Sequence, residues 1–337
     1  MKKVWKVFLS LSMLLFIISA CSMNKEENTA DTDTDIEQSE KIQVVTSIFP
    51  VYEITKEVAG DQAEVSLMVG ENEDAHHYEP SAQAVSLVNN ADVFLYTSDV
   101  MEFWADSLLA VVENEDLRTI ELAEGLDLSL SDTGEDLDVD EEHTHEDDEH
   151  AHEDENHDHD HDHGGLDPHF WVDPVTVKEQ LPVIVENLSA VDPEGADVYE
   201  ENAEKFAKEL DELDMAFTDA FEDAENRVFV VQHQAFGHLA ARYDLEQVSM
   251  SGLTTEVEPN PQTLVQIADF INEQHVPIVY YQSGASTATA EAIARETDTE
   301  IAVLYDLENK PEDLNEDENI YFEAMYHNLE ELKKTIN

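Results

Sequence analysis

Twice along this chain, short runs rich in β-branched and aromatic residues alternate with amphipathic runs, and one long helical stretch separates the two series. The first series holds "KIQVVTSI", "AEVSLMVG", "DVFLYTS" and "RTIELAE"; the second holds "RVFVVQH", "EQVSMSGL", "PIVYYQS" and "EIAVLYDL". Helical patterns lie between them. In the first series these are "PVYEITKEVAG", "PSAQAVSLVNNA" and "MEFWADSLLAVVEN"; in the second, "PQTLVQIADFINEQ", "ATAEAIARE" and the C-terminal "YFEAMYHNLEELKK". Pro50 marks a helix start and Gly60 its stop, the positions each residue favours. Strands alternating with helices form parallel sheets covered on both faces. The expected class is α/β, with two lobes, each a four-stranded parallel sheet flanked by helices. A chain of 337 residues also exceeds the size at which one core stays favourable.

Tyr199, Ala203, Phe206, Leu210, Leu213, Phe217 and Phe221 recur at three- and four-residue steps, which predicts one helix over roughly 197–223. At 1.5 Å per residue it is ~40 Å long, enough to run across both lobes as a rigid linker. Val177, Leu181, Ile184 and Leu188 mark a shorter amphipathic helix before it. The expected domains are a first lobe over 41–190, a linker over 191–225 and a second lobe over 226–337.

The N-terminus stands apart. Lys2, Lys3 and Lys6 precede the apolar run "VFLSLSMLLFIIS", too short for a typical spanning helix and suited to a signal peptide over 1–20. It ends at Ile18-Ser19-Ala20-Cys21, which resembles a bacterial lipobox and makes Cys21 the expected site of lipidation. Cys21 is also the chain's single cysteine, so no disulfide forms within the chain and thiolate zinc sites of the CxxC kind are excluded. Residues 22–40 contain almost nothing to bury, and 21–40 reads as a flexible tether. The expected location is extracytoplasmic, with a lipid anchor in the outer face of the cell membrane.

Asp and Glu total 80 against 16 Lys and Arg, a net charge of −64. Such a polyanion repels nucleic acid and anionic lipid headgroups and attracts cations. Seventeen of the acids lie between Asp132 and Asp162, leaving 63 elsewhere. At ~1 M salt the Debye length is about 3 Å, so this surface reads as adapted to high salt.

Eight histidines, His143, His145, His150, His152, His157, His159, His161 and His163, crowd an acidic insert over 131–165. Apart from Leu137, Val139 and Ala151 the insert has no apolar residues with which to order itself, and it is expected to be disordered without metal. Wrapping an ion would then cost conformational entropy and weaken each site. The insert reads as a loose collector of cations at the mouth of the cleft between the lobes. Outside it, His76 and His77 lie in "GENEDAHHYEPS", His169 lies in "DPHFWVDP" before a helix, and His233 ends "RVFVVQH" before a helix beginning near Ala235. Asp306 and Glu308 leave the last strand in "EIAVLYDLE". Exits of parallel strands are where such sheets place their ligands. His238, His275 and His327 read as surface or helix residues.

The segments "HHYEPS", "DPHFWVDP" and "VVQHQAFGHLAARYDL", with the acidic His-rich insert between the first two, resemble the zinc-binding lipoproteins of bacterial ABC transporters (ZnuA/AdcA type) over essentially all of 41–337. The resemblance implies metal ligands at His76 rather than His77, at His169 and at His233. It also implies a carboxylate on the loop after the last strand, carried to Glu308 with Asp306 as runner-up, because "LYDLE" departs from the "L-N/D-P-L" usual there. The implied partner is a membrane permease and, through it, an ATPase, served by a monomeric protein that captures Zn2+ for uptake. Neutral imidazoles with one carboxylate suit tetrahedral Zn2+ at about 2.0–2.1 Å. Relatives that carry Mn2+ tend to replace the third histidine by a carboxylate, so His233 favours zinc. A manganese-binding relative and a metal-binding surface adhesin or buffer are the alternatives.

An enzyme is the remaining class. His143, His145 and Asp147 approach the hydrolase pattern H-x-H-x-D-H, but Asp148 stands where histidine is needed. H-E-x-x-H, G-x-S-x-G, P-loop and G-x-G-x-x-G patterns do not occur in the chain, and each carries a distinct chemistry. A catalytic zinc also keeps a position open for water, whereas three histidines and a carboxylate fill the shell. The sequence therefore points away from catalysis.

Overall fold

In a computed structural model, residues 41–70, 73–129, 166–253, 260–314 and 319–337 are described. The signal peptide over 1–20, Cys21 and the tether, and the insert over 131–165 with its eight histidines, lie outside the described residues.

The first sheet is built from β1 (Ile42–Thr46), β2 (Ala63–Leu67), β3 (Val93–Tyr96) and β4 (Arg118–Glu121), all parallel, in the order β2-β1-β3-β4. The second repeats that order as β6-β5-β7-β8, with β5 (Val228–Val231), β6 (Glu246–Ser249), β7 (Ile278–Gln282) and β8 (Glu300–Leu304). In each sheet the chain reverses its winding beside the first strand, which opens a crevice at the strands' carboxyl ends. Helices α1 (Phe49–Ala59), α2 (Ala82–Asn89) and α3 (Ala105–Leu109) belong to the first series; α6 (Gly237–Arg242), α7 (Pro261–Gln274), α8 (Ala288–Thr297) and α9 (Ile320–Leu332) belong to the second. Between them run α4 (Pro174–Val191) and the 26-residue α5 (Ala196–Phe221). All seven apolar residues named for the long helix are buried on one face of α5. The expected architecture is the one observed.

Local signals set the ends of these elements. Ser81 caps α2 by accepting from the Ala84 amide, and Asn260 caps α7 by accepting from Gln262 and Thr263, which satisfies amides that a helix start leaves open. Gly60 ends α1 at φ +53°, a conformation that glycine adopts without strain.

The expected helix over "MEFWADSLLAVVEN" shrinks to α3. Glu102 explains its late start. Its side chain turns into the strand exits and accepts from the amides of Thr97 and Ser98 and the hydroxyls of Ser47 and Thr97. At the other end, Asn89 accepts from the Glu113 amide and Asn114 donates to the Ala91 carbonyl, drawing the chain off the helix axis. The helix after His233 likewise begins at Gly237 rather than near Ala235.

One hydrophobic core runs from Val44 and Phe94 of the first sheet through Phe206 and Phe217 of α5 to Phe229 and Tyr280 of the second. A smaller core, with Val230, Val248, Ile267 and Ile293, lies on the far face of the second sheet. Phe206 meets Phe322 of α9 edge-on at 5.0 Å. No helix among the described residues is long and apolar enough to cross a membrane.

Candidate metal centre

His76 reaches the crevice from the loop after β2, His233 from the exit of β5, and Glu308 from the loop after β8. His169 stands immediately before a single-turn 3-10 helix, Phe170–Val172, that leads into α4. All four are buried. One ligand atom from each lies within 4.8 Å of those of the others. Glu308 Oε1 is 2.7 Å from His233 Nε2, 3.0 Å from His169 Nε2 and 3.4 Å from His76 Nε2. Ring centroids are 5.1 Å apart for His169 and His233, 5.5 Å for His76 and His169, and 5.7 Å for His76 and His233. Three imidazole nitrogens and a carboxylate oxygen thus point at one small volume.

Hydrogen bonds behind the rings set their orientation. His169 Nδ1 donates to Asp167 Oδ1 at 2.6 Å, and the same oxygen accepts the His169 amide at 2.9 Å. His233 Nδ1 donates to the Gly252 carbonyl at 3.1 Å. A partner on Nδ1 fixes the tautomer and turns Nε2 toward the centre. Asp74 accepts the His76 amide at 2.9 Å. His77 points elsewhere and pairs with Asp74 at 3.4 Å.

Asp306 is buried but stands outside the convergent group. Its Oδ1 accepts the Glu308 amide at 3.3 Å, and its carbonyl accepts Trp171 Nε1 at 2.7 Å. Between the two acids Leu307 has φ +64°, a left-handed conformation costly for a branched side chain. That kink carries Glu308 inward and keeps Asp306 behind it. It follows the departure from the proline-containing pattern noted in "LYDLE".

Burial disfavours charge throughout the cluster, and the mutual pairing of charges decides where it resides. For His169 burial alone would lower the pKa, but the Asp167 and Glu308 carboxylates outweigh it and raise it to about 10. Burial would raise Glu308, yet His233, His76 and His169 hold it well below the usual carboxylate range. Burial, then the neighbouring Glu308 charge, pushes Asp306 up to about 7.

Asp167 is the residue that motif reading passed over, although it sits two positions before the histidine in the quoted "DPHFW". Asp followed two residues later by His is a local pattern that lets one carboxylate take both the amide and the ring nitrogen. Gly252 could not be found this way, because its contribution is a backbone carbonyl from the exit of a different strand.

Two matching parallel sheets with a buried polar cluster at their carboxyl ends define a two-lobed α/β substrate-binding protein. The chain belongs to the family described as zinc-uptake complex component A, periplasmic (ZnuA), whose pattern matches residues 44–335. It is 34% identical over 335 residues to the zinc-binding lipoprotein AdcA of Streptococcus pneumoniae R6, covering 99% of this chain and 61% of that relative. The chain therefore spans less than two thirds of AdcA's length. It is 29% identical to the high-affinity zinc uptake system protein ZnuA of Bacillus subtilis 168, over 100% of this chain and 99% of that one. Among solved structures it resembles the Zn(II)-bound ZnuA-like domain of S. pneumoniae AdcA, with a TM-score of 0.70 and 32% identity over 88% of this chain and 98% of that domain.

Proposed function

We propose that this protein captures Zn2+ outside the cytoplasm and hands it to the permease of an ABC transporter, with His76, His169, His233 and Glu308 as the four ligands. The convergence of three Nε2 atoms on Glu308 Oε1 carries this reading. Three imidazoles and one carboxylate match the donor preference of tetrahedral Zn2+ and are poor in the oxygen that Mn2+ prefers. Zinc is the cargo. A full shell with no position kept for water argues against a hydrolytic role. Family membership and the zinc-binding names of the relatives support the uptake role. In the same reading residues 41–190 and 226–337 are the lobes, α5 is the linker between them, and a lipid on Cys21 after a signal peptide over 1–20 holds the protein at the membrane.

The His-rich insert has a place in this reading as a collector that feeds the centre. Ser129 and Leu166 pair as an isolated antiparallel bridge, and the Asp167 amide donates to the Leu128 carbonyl. The residues that flank the insert are therefore paired with each other, and Leu166 lies three residues before His169. Titrating chelator-stripped protein with Zn2+ against a competing chromophoric chelator tests the site. One tight ion per chain, bound far more tightly than Mn2+, is expected. A preference for Mn2+, or equal binding by a His233→Ala variant, would overturn the assignment.

A further inference from the structure

His238 and Arg242 lie four residues apart on α6, on one helical face, and together they reach both ends of the segment that carries His169. His238 Nε2 donates to the Asp167 carbonyl at 2.8 Å. Arg242 forms a fork with the Asp173 carboxylate, Nε at 3.1 Å from Oδ1 and Nη2 at 2.6 Å from Oδ2. Asp173 is itself buried and caps α4 through the Val175 amide. The other end of α6 is tied to the second imidazole. His233 leads into the helix through a buried stretch in which the Ala235 amide donates to the His233 carbonyl and the Phe236 amide to Gln247 Oε1. A single short helix therefore grips two ligand-bearing segments that are far apart in sequence.

We propose that His238 and Arg242 are positioning residues for the metal: through α6 they fix the separation of His169 and His233 before the ion arrives, and so bias the centre toward a small four-coordinate cation. This rests on the reading of those histidines as ligands. A site whose ligands are already placed loses little ordering entropy on binding, and outer partners of metal ligands typically change affinity by about 10–100-fold. A fixed spacing also disfavours a larger ion of the same electronic type, which needs longer bonds. The bidentate geometry is specific to a guanidinium, because a lysine ammonium offers a point charge without the fork.

The test uses the whole protein, stripped of metal, with Zn2+ and the larger d10 ion Cd2+ as probes. Arg242→Lys, Arg242→Ala, His238→Ala and His238→Gln are titrated by competition beside wild type and His169→Ala, and the melting temperature of each metal-free protein is recorded. Arg242→Lys and His238→Ala should each lose about tenfold in Zn2+ affinity and show a narrowed Zn2+/Cd2+ ratio. His238→Gln, which keeps an N–H donor, should recover most of both. If Arg242→Ala does not fold, Arg242→Lys decides the matter. Lowered melting temperatures with unchanged affinity and unchanged ion ratio would make α6 merely structural and overturn the proposal. Tight binding retained by His169→Ala would instead remove the ligand reading on which it stands.

Discussion

At the scale of single residues, the cluster behaves as a charge-balanced unit whose proton yields to the metal. His169 carries its charge between two carboxylates with its pKa raised to about 10, so it is protonated at neutral pH in the metal-free protein. Its pairing stabilises that state fully below the ordinary histidine value and loses the contribution as pH rises through about 10. An ion bound at Nε2 must expel that proton. Zinc binding should therefore release about one proton from His169, and affinity should rise by about one order of magnitude per pH unit between pH 7 and 9. Calorimetry in buffers of different ionisation enthalpy counts the protons; a value near zero would contradict the charge assignment. The two acids should separate cleanly. Glu308→Ala removes a convergent oxygen and should cost more than about a hundredfold in affinity, whereas Asp306→Ala, acting from outside the group, should cost about tenfold. The opposite order would move the ligand to Asp306.

Element-scale features explain why parts of the fold were legible in the sequence and parts were not. The eight strands follow from short β-branched and aromatic runs set between helical patterns, and the buried face of α5 follows from apolar residues that repeat at three to four positions. His76, His169 and His233 were found because they flank strand exits or a helix start in segments with a recognisable pattern. Glu308 rested on motif position, and the Leu307 kink that brings it inward is a backbone feature no periodicity reports. The shortening of α3 was hidden for a similar reason: a helical apolar pattern does not say that Glu102 will be recruited by the neighbouring strand exits. Burial pushes the Glu102 carboxyl up, and its four hydrogen-bond donors oppose that shift. Each of its oxygens accepts one backbone amide. Glu102→Gln would set an amide N–H against another amide N–H, so unfolding free energy should fall by about 1–3 kcal/mol. Denaturant titration of the metal-free protein measures this, and a neutral or stabilising result would mean that Glu102 does not organise these exits.

Over the whole molecule, two properties meet: a continuous core through both sheets and an excess of negative charge. The core passes along α5 and joins α9 to α1, where Glu53 accepts the Ile320 amide at 3.1 Å. That continuity favours small shifts of loops over a wide hinge. The charge acts on the surface. With 63 acids outside the insert, mutual repulsion should weaken the fold at low ionic strength and fade as salt screens it. The melting temperature of the metal-free protein should rise by a few degrees from low to molar NaCl. A flat or falling midpoint would remove the case for a salt-adapted surface.

The central claim is that the buried cluster, rather than the histidine-crowded insert, is the tight zinc site. Calorimetric zinc titration of two chelator-stripped variants tests it most directly. One variant lacks Asp132–His163, and the other carries His76→Ala, His169→Ala and His233→Ala with the insert intact. The first should keep one tight zinc site per molecule, because its ligands are held by the folded sheets and lose little entropy on binding. The second should show only weak, multiple binding. Loss of tight binding in the first variant together with its survival in the second would contradict the account.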